Sequence, residues 1–206
     1  MKILLIGPPA SGKGTIGERI SKDLHIPLIS VGSVLRGIPD NHFQKKKISE
    51  IMEGGELVPQ DIVASLLKEE VAKDTAANGF IFDGWGRRKE DLDYFDPNFD
   101  KVIYLKVSPE TSFQRISARR TCENCEAVYN LTFIPPKISG VCDLCGGKLT
   151  KREDESEETT RRRLEIFEEE TKETIEYFKN QGKLVEVDGE GTPDEEYTLV
   201  KNALGY

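Results

Sequence analysis

Apolar residues fall in short bursts along the chain, and the spacing inside each burst separates strands from helices. Ile3-Leu4-Leu5-Ile6 reads as a strand, and Ile16, Ile20 and Leu24 recur every four residues, as on one helix face. A short second strand follows over His25 to Ser30, with His25 as a helix-end residue, and Val31-Gly32-Ser33 turns into a helix carrying Arg36. Residues 37–59 break into short helical pieces at Gly37, Pro39, Gly54-Gly55 and Pro59. From Gln60 to Thr75 the set Ile62, Val63, Leu66, Leu67 and Val71 predicts a helix with one buried face. Phe80-Ile81-Phe82-Asp83 and Val102-Ile103-Tyr104-Leu105 predict further strands. Ser108-Pro109 opens a helix as cap and first residue, and that helix is expected to run through Phe113, Arg115 and Ile116 to Arg119-Arg120. A long helix over 157–179, a strand at Leu184-Val185-Glu186-Val187 and a capping box at Thr192-Pro193-Asp194-Glu195 complete the pattern.

The alternation of strands and helices predicts an α/β domain, and the chemistry gathers where strands end. Between the first strand and first helix stands Gly7-Pro8-Pro9-Ala10-Ser11-Gly12-Lys13-Gly14-Thr15. Such a loop points successive N–H groups and a helix N-terminus at a polyphosphate. Lys13 then reaches the terminal phosphates, and the Thr15 hydroxyl can ligate Mg²⁺. A glycine-rich turn that merely opened a helix would need neither the lysine nor the hydroxyl. Asp83 ends a strand and is followed by Gly84-Trp85-Gly86-Arg87. Ligands of open α/β sheets bind beyond the carboxyl ends of the strands, so Asp83 suits an Mg²⁺-bound water and Arg87 a phosphate.

Residues 120–151 interrupt the pattern with Cys122-Glu123-Asn124-Cys125 and Cys142-Asp143-Leu144-Cys145. Two C-x₂-C pairs at this separation are a Zn²⁺ signature, a closed four-thiolate site with a structural role. Two disulfides are the competing reading, disfavoured in a chain without an export signal.

Composition narrows the function. The chain has 206 residues, 37% hydrophobic and 32% charged, enough for one main domain with an insert. A net charge of −8 argues against general nucleic-acid affinity, so an anionic ligand must meet locally clustered cations. The first apolar run is too short to span a membrane, which leads to the expectation of a soluble cytoplasmic protein.

Taken together, Gly7 to Thr15, Leu35-Arg36, Asp83-Gly84-x-x-Arg87, Arg119-Arg120, the cysteine pairs around Phe133-x-Pro135-Pro136-Lys137, and Glu157-Glu158-Thr159 leading to Arg163-Leu164 resemble the adenylate kinases, in their zinc-containing long-lid form. The resemblance covers essentially the whole chain. It implies a P-loop, three-layer fold with a parallel five-stranded core (1–29, 60–119 and 152–206), a helical acceptor-nucleotide insert (30–59) and a zinc-binding lid (120–151). It implies a monomer that turns MgATP and AMP into two ADP. Ala10, Ser11, Gly12, Lys13, Gly14, Thr15, Arg115, Arg119, Val128, Tyr129 and Gly191 are then the ATP contacts. Val31, Arg36, Glu56, Leu57, Val58, Gly84, Arg87, Asp91, Arg152 and Arg163 are the acceptor contacts. Lys13, Arg36, Asp83, Arg87, Arg119, Arg152 and Arg163 form the catalytic group, and the four cysteines hold zinc.

The chain departs from that family at several places. Ala10 stands where glycine is usual and, if it must take positive φ, costs roughly 1–2 kcal/mol. Val31 and Ser33 replace a threonine and an aspartate, and Trp85-Gly86 replaces phenylalanine and proline. Asp91 replaces a glutamine that would read adenine; a carboxylate offers only acceptors, which suits guanine as well. GMP or pyrimidine acceptors, or a nucleotide-sensing zinc module with weak catalysis, are therefore alternatives.

Overall fold

The computed structural model describes residues 1–152 and 154–206. In chain order the elements are β1 (Lys2–Ile6), α1 (Lys13–Leu24), β2 (Leu28–Ser30), α2 (Val31–Arg36), α3 (Lys45–Glu53), α4 (Gln60–Val71), β3 (Phe80–Asp83) and α5 (Asp91–Tyr94). There follow β4 (Lys101–Lys106), α6 (Pro109–Ser117), β5 (Arg119–Cys122), β6 (Val128–Asn130), β7 (Leu149–Thr150), α7 (Glu157–Asn180), β8 (Leu184–Asp188) and α8 (Pro193–Leu204).

Five strands form one sheet in the order β2-β3-β1-β4-β8, with every pair parallel. Side chains alternate across such a sheet. Leu4, Ile6, Phe80, Phe82 and Val102 therefore enter one apolar cluster with Trp85, Phe99, Phe167 and Phe178. Ile3, Leu5, Ile81, Ile103 and Leu105 enter the other, against Ile16 and Ile20 of α1 and Val200 of α8. With helices on both faces the arrangement is the expected three-layer α/β fold, and both faces of the central strands are dry.

The chain leaves β1 in one direction for β2 and β3 and later crosses to β4 on the other side. That reversal opens a crevice at the carboxyl end of β1. Leu5 pairs with Asp83, so the end of β3 lies beside the loop that follows β1.

Local signals place most ends. The Ser108 hydroxyl accepts from the Thr111 N–H with Pro109 in the first turn of α6, and Thr192 and Glu195 form the capping box of α8. His25 closes α1 at φ 53°. The helix expected to reach Arg119-Arg120 instead stops at Ser117. Arg119–Cys122 is the central strand of a second, antiparallel sheet, order β6-β5-β7. Its partners account for the change: Arg119 pairs with Asn130 and Thr121 with Thr150, and the Ala118 carbonyl accepts from Leu131. The helix after Gln60 ends at Val71, with a 3-10 turn over Asp74–Ala76, and the second strand is confined to Leu28–Ser30. Among the described residues no helix is long and apolar enough to cross a membrane.

Candidate active site

The loop after β1 is held by its own backbone. Gly12 takes φ +92° at the start of α1, where no side chain among the described residues caps the helix and no acid occupies the first turn. Its leading N–H groups and the positive end of its dipole therefore face the crevice. Ala10 adopts φ +57°, so the strain foreseen for this position is present, of order 1–2 kcal/mol.

The Lys13 ammonium folds back over the loop, donating to the carbonyls of Gly7 (2.8 Å) and Pro8 (2.9 Å) and to Ser11 Oγ (3.2 Å). Burial lowers its pKa to about 8; Asp83 opposes that shift, and Arg87 and Arg119 add to it. An anion in the crevice would pair with this ammonium and raise its pKa again.

Two cavities meet at this point. One is walled by Val31, Leu35, Met52, Val58, Val63, Trp85 and Phe167, and takes in Glu56, Leu57, Gly84, Arg87, Asp91 and Arg163. The other follows the loop from Ala10 through Ser11, Gly12, Lys13, Gly14 and Thr15 to Arg115, Val128, Tyr129, Phe133 and Glu196. Lys13, Arg36, Asp83, Arg119 and Arg152 line both. Cations from α1, α2, β5 and the segment before α7 thus stand at the junction, with the Asp83 carboxylate among them. Arg36 and Arg87 have pKa values pushed down by burial and by neighbouring cations, Arg152 beside Arg36 and Arg163 beside Arg87. Crowded positive charge of this kind is relieved by a bound polyanion.

Several of the expected contact residues also bond within the protein. Gly191 does not line either cavity; its carbonyl accepts from Arg115 at 3.0 Å. The Tyr129 hydroxyl points to the cysteine cluster, 3.5 Å from Cys142 Sγ, and accepts from the Asp143 N–H at 2.8 Å. The Asp91 carboxylate accepts from the Arg88 N–H at 3.1 Å, and burial raises its pKa. Trp85 is buried, its indole N–H bonded to the Phe95 carbonyl at 2.9 Å. The Glu56 carboxylate pairs with Arg162.

Sequence reasoning missed Asp154 and Glu155. Asp154 accepts from Arg152 Nε (2.8 Å) and Nη2 (2.6 Å), and from Arg163. Burial works against its ionisation, but Arg152 and Arg163 prevail and hold its pKa down to about 2. Glu155, 1% exposed, accepts from Arg119. These acids aim Arg119 and Arg152 of the junction and Arg163 of the first cavity. The one sequence signal for them is the run of three acids, Glu153-Asp154-Glu155, directly before the Ser156 cap of α7, a place where surface charge is equally common.

The four cysteine Sγ atoms lie within 4.8 Å of one another. Separations of 3.4 Å (Cys122 to Cys145), 3.6 Å (Cys125 to Cys142) and 3.4 Å (Cys145 to Cys125) are far longer than the ~2.05 Å of a disulfide. They come close to the ~3.8 Å edge of a tetrahedron with Zn–S bonds of ~2.3 Å. The Asn124 N–H points at Cys122 Sγ (3.4 Å), and Glu126 and Gly146, each following a second cysteine, turn through positive φ. The residues present therefore fit a zinc ion and exclude the disulfide reading.

The sequence model of the adenylate kinase family matches residues 5–183. The chain is 40% identical to the adenylate kinase of Thermosipho africanus over 92% of each sequence. It is 38% identical to that of Fervidobacterium nodosum over 100% of this chain and 98% of the relative, and 38% identical to that of Clostridium tetani over 100% and 99%. With the sheet order, the phosphate loop and the cationic junction already in place, these likenesses over the full length lead to one conclusion: the chain belongs to the adenylate kinase family.

Proposed function

We propose that the protein transfers the terminal phosphoryl group of ATP directly to AMP, reversibly, giving two ADP. The observation that carries the reading is the shared wall: two cavities meet where Lys13, Arg36, Arg119, Arg152 and Asp83 converge, beside Ala10 of the loop and Ser30 at the end of β2. Phosphoryl transfer asks little covalent chemistry of a protein, and much positioning and charge neutralisation. ATP lies along the phosphate loop, with Arg115 at its base and Lys13 and Arg119 on its phosphates. AMP fills the apolar cavity, its phosphate held by Arg36 and Arg87. Arg152 and Arg163, aimed by Asp154, reach the group in flight.

Thr15 and Asp83 supply the hard oxygen donors that suit Mg²⁺, directly or through water. Mg²⁺ supplies Lewis-acid neutralisation of the phosphates when bound. The zinc at the four cysteines is structural, because four thiolates leave no open position. Residues 30–59 act as the acceptor insert and 120–151 as a lid whose closure excludes water. The protein works as a cytoplasmic monomer.

A turnover panel of AMP, GMP, CMP and UMP with MgATP tests the reading. AMP is expected to be the fastest acceptor; AMP as the slowest would overturn it and favour a different acceptor base. Tight binding of ATP and AMP with no ADP formed would favour a sensing role.

A further inference from the structure

One buried acid has no part in the chemistry above. Glu196 lies on α8 directly after Asp194 and Glu195, which are exposed, yet it is only 2% exposed itself. A carboxylate is expensive to bury, and an apolar side chain would fill the space without that cost. Burial pushes its pKa up to about 7, with Arg115 opposing. Its Oε1 accepts from Arg115 Nη2 at 2.9 Å, and the same nitrogen donates to the Gly191 carbonyl at 3.0 Å. The Arg115 guanidinium carbon stands 5.6 Å from the centre of the Phe133 ring. A Cβ on Gly12 would come within 2.7 Å of Glu196 Oε2, so the second carboxylate oxygen lies against the backbone of the phosphate loop.

We propose that Glu196 is a positioning residue for the donor nucleobase: it clamps the Arg115 guanidinium by its edge and fixes that planar cation as a stacking surface in register with the phosphate loop. The proposal rests on the reading of this cavity as the ATP site. Arginine has many rotamers, and a free guanidinium loses that freedom when a base stacks on it. Glu196 and the Gly191 carbonyl remove the freedom in advance, which strengthens binding through preorganisation. The clamp touches neither the phosphates in transit nor the acceptor cavity, so its effect falls on donor binding. Gly191, which lines neither cavity, acts in this account through its carbonyl on Arg115.

The test is steady-state kinetics of the full-length protein with Glu196→Gln, which keeps the shape and one acceptor oxygen but not the charge. The KM for ATP is expected to rise about tenfold, while kcat and the KM for AMP stay within about twofold. Adding Glu196→Gln to Arg115→Gln is expected to cost nothing further, because the clamp has lost its object. An unchanged KM for ATP, or losses that multiply in the double variant, would overturn the proposal. Should Glu196→Gln fail to fold, Glu196→Leu, which removes the buried charge, must show the same selective rise; equal rises for both nucleotides would count against the clamp. Wild-type protein that makes no ADP from ATP and AMP would instead refute the underlying reading.

Discussion

The phosphate loop and the cysteine insert present groups to the same cavity, but they are held there by different physics. The loop is the hinge between β1 and α1, wedged between two apolar clusters that span the sheet. The insert has a cluster of its own consisting of Cys122, Tyr129, Cys142 and Leu149, with Ala127 against it, while Leu131, Phe133, Ile138 and Leu144 are exposed. A full core can carry strain, and the loop uses that surplus at Ala10. The insert has no surplus; two of its four core residues belong to the cysteine cluster that fits a zinc ion, so under the proposed reading its order depends on that ion. The lesson is that a short segment can be rigid without a hydrophobic core, at the cost of depending on something removable.

Each side of the contrast can be attacked separately. In the loop, Lys13→Met should lower the transfer rate about 10³-fold, the scale of losing one charged group at the reacting phosphates, while the thermal midpoint stays close to wild type. A rate within tenfold of wild type would break the account of the loop. In the insert, a strong chelator should release one zinc per chain, measured by metal analysis, and lower activity about 10²-fold. Structural zinc is worth on the order of 10 kcal/mol, so Leu149 and Tyr129 should lose amide protection while β1 and β4 keep theirs. Simultaneous loss in sheet and insert would show that the two regions are not independently held.

The remaining tests sharpen the contrast at the junction. Asp154→Asn removes the acid that aims Arg152 and Arg163, and turnover should fall about tenfold with the KM for ATP little changed. With a Lys13 pKa of about 8 in the free protein, the ammonium loses its proton as pH rises through that value. The kcat/KM for ATP should therefore be flat below pH 8 and decline above it, and a flat profile to pH 10 would contradict the burial of Lys13. The smallest effect belongs to Glu126, on the insert, which reaches Arg36 of α2 at 3.6 Å. Both side chains are partly exposed, so Glu126→Gln should change stability by less than about 1 kcal/mol.

Legibility in the sequence followed the range over which the information is spread. The loop, Asp83 with Arg87, the two cysteine pairs, the Ser108 cap and the Thr192 capping box all declare themselves within a few residues. The end of α6 did not, because Arg119 to Cys122 becomes a strand only through partners at 128–130 and 149–150. Asp154, Glu155 and Glu196 are charged residues in charged neighbourhoods. Only their burial against arginines, nearby ones for Asp154 and distant ones for Glu155 and Glu196, distinguishes them from a solvated face. Tyr129 lines the second cavity while its hydroxyl turns to the cysteine cluster, a contact with Cys142 that has no local signature.

The claim beneath all of this is that one phosphoryl group passes between two nucleotides across the wall of Lys13, Arg36, Arg119 and Arg152, with no stop on the protein or in water. A single turnover with ATP labelled in its γ-phosphate, excess AMP and Mg²⁺ tests it directly. The account predicts that the label appears only as the β-phosphate of ADP formed from AMP. Label bound covalently to the protein, or released first as inorganic phosphate, would contradict it.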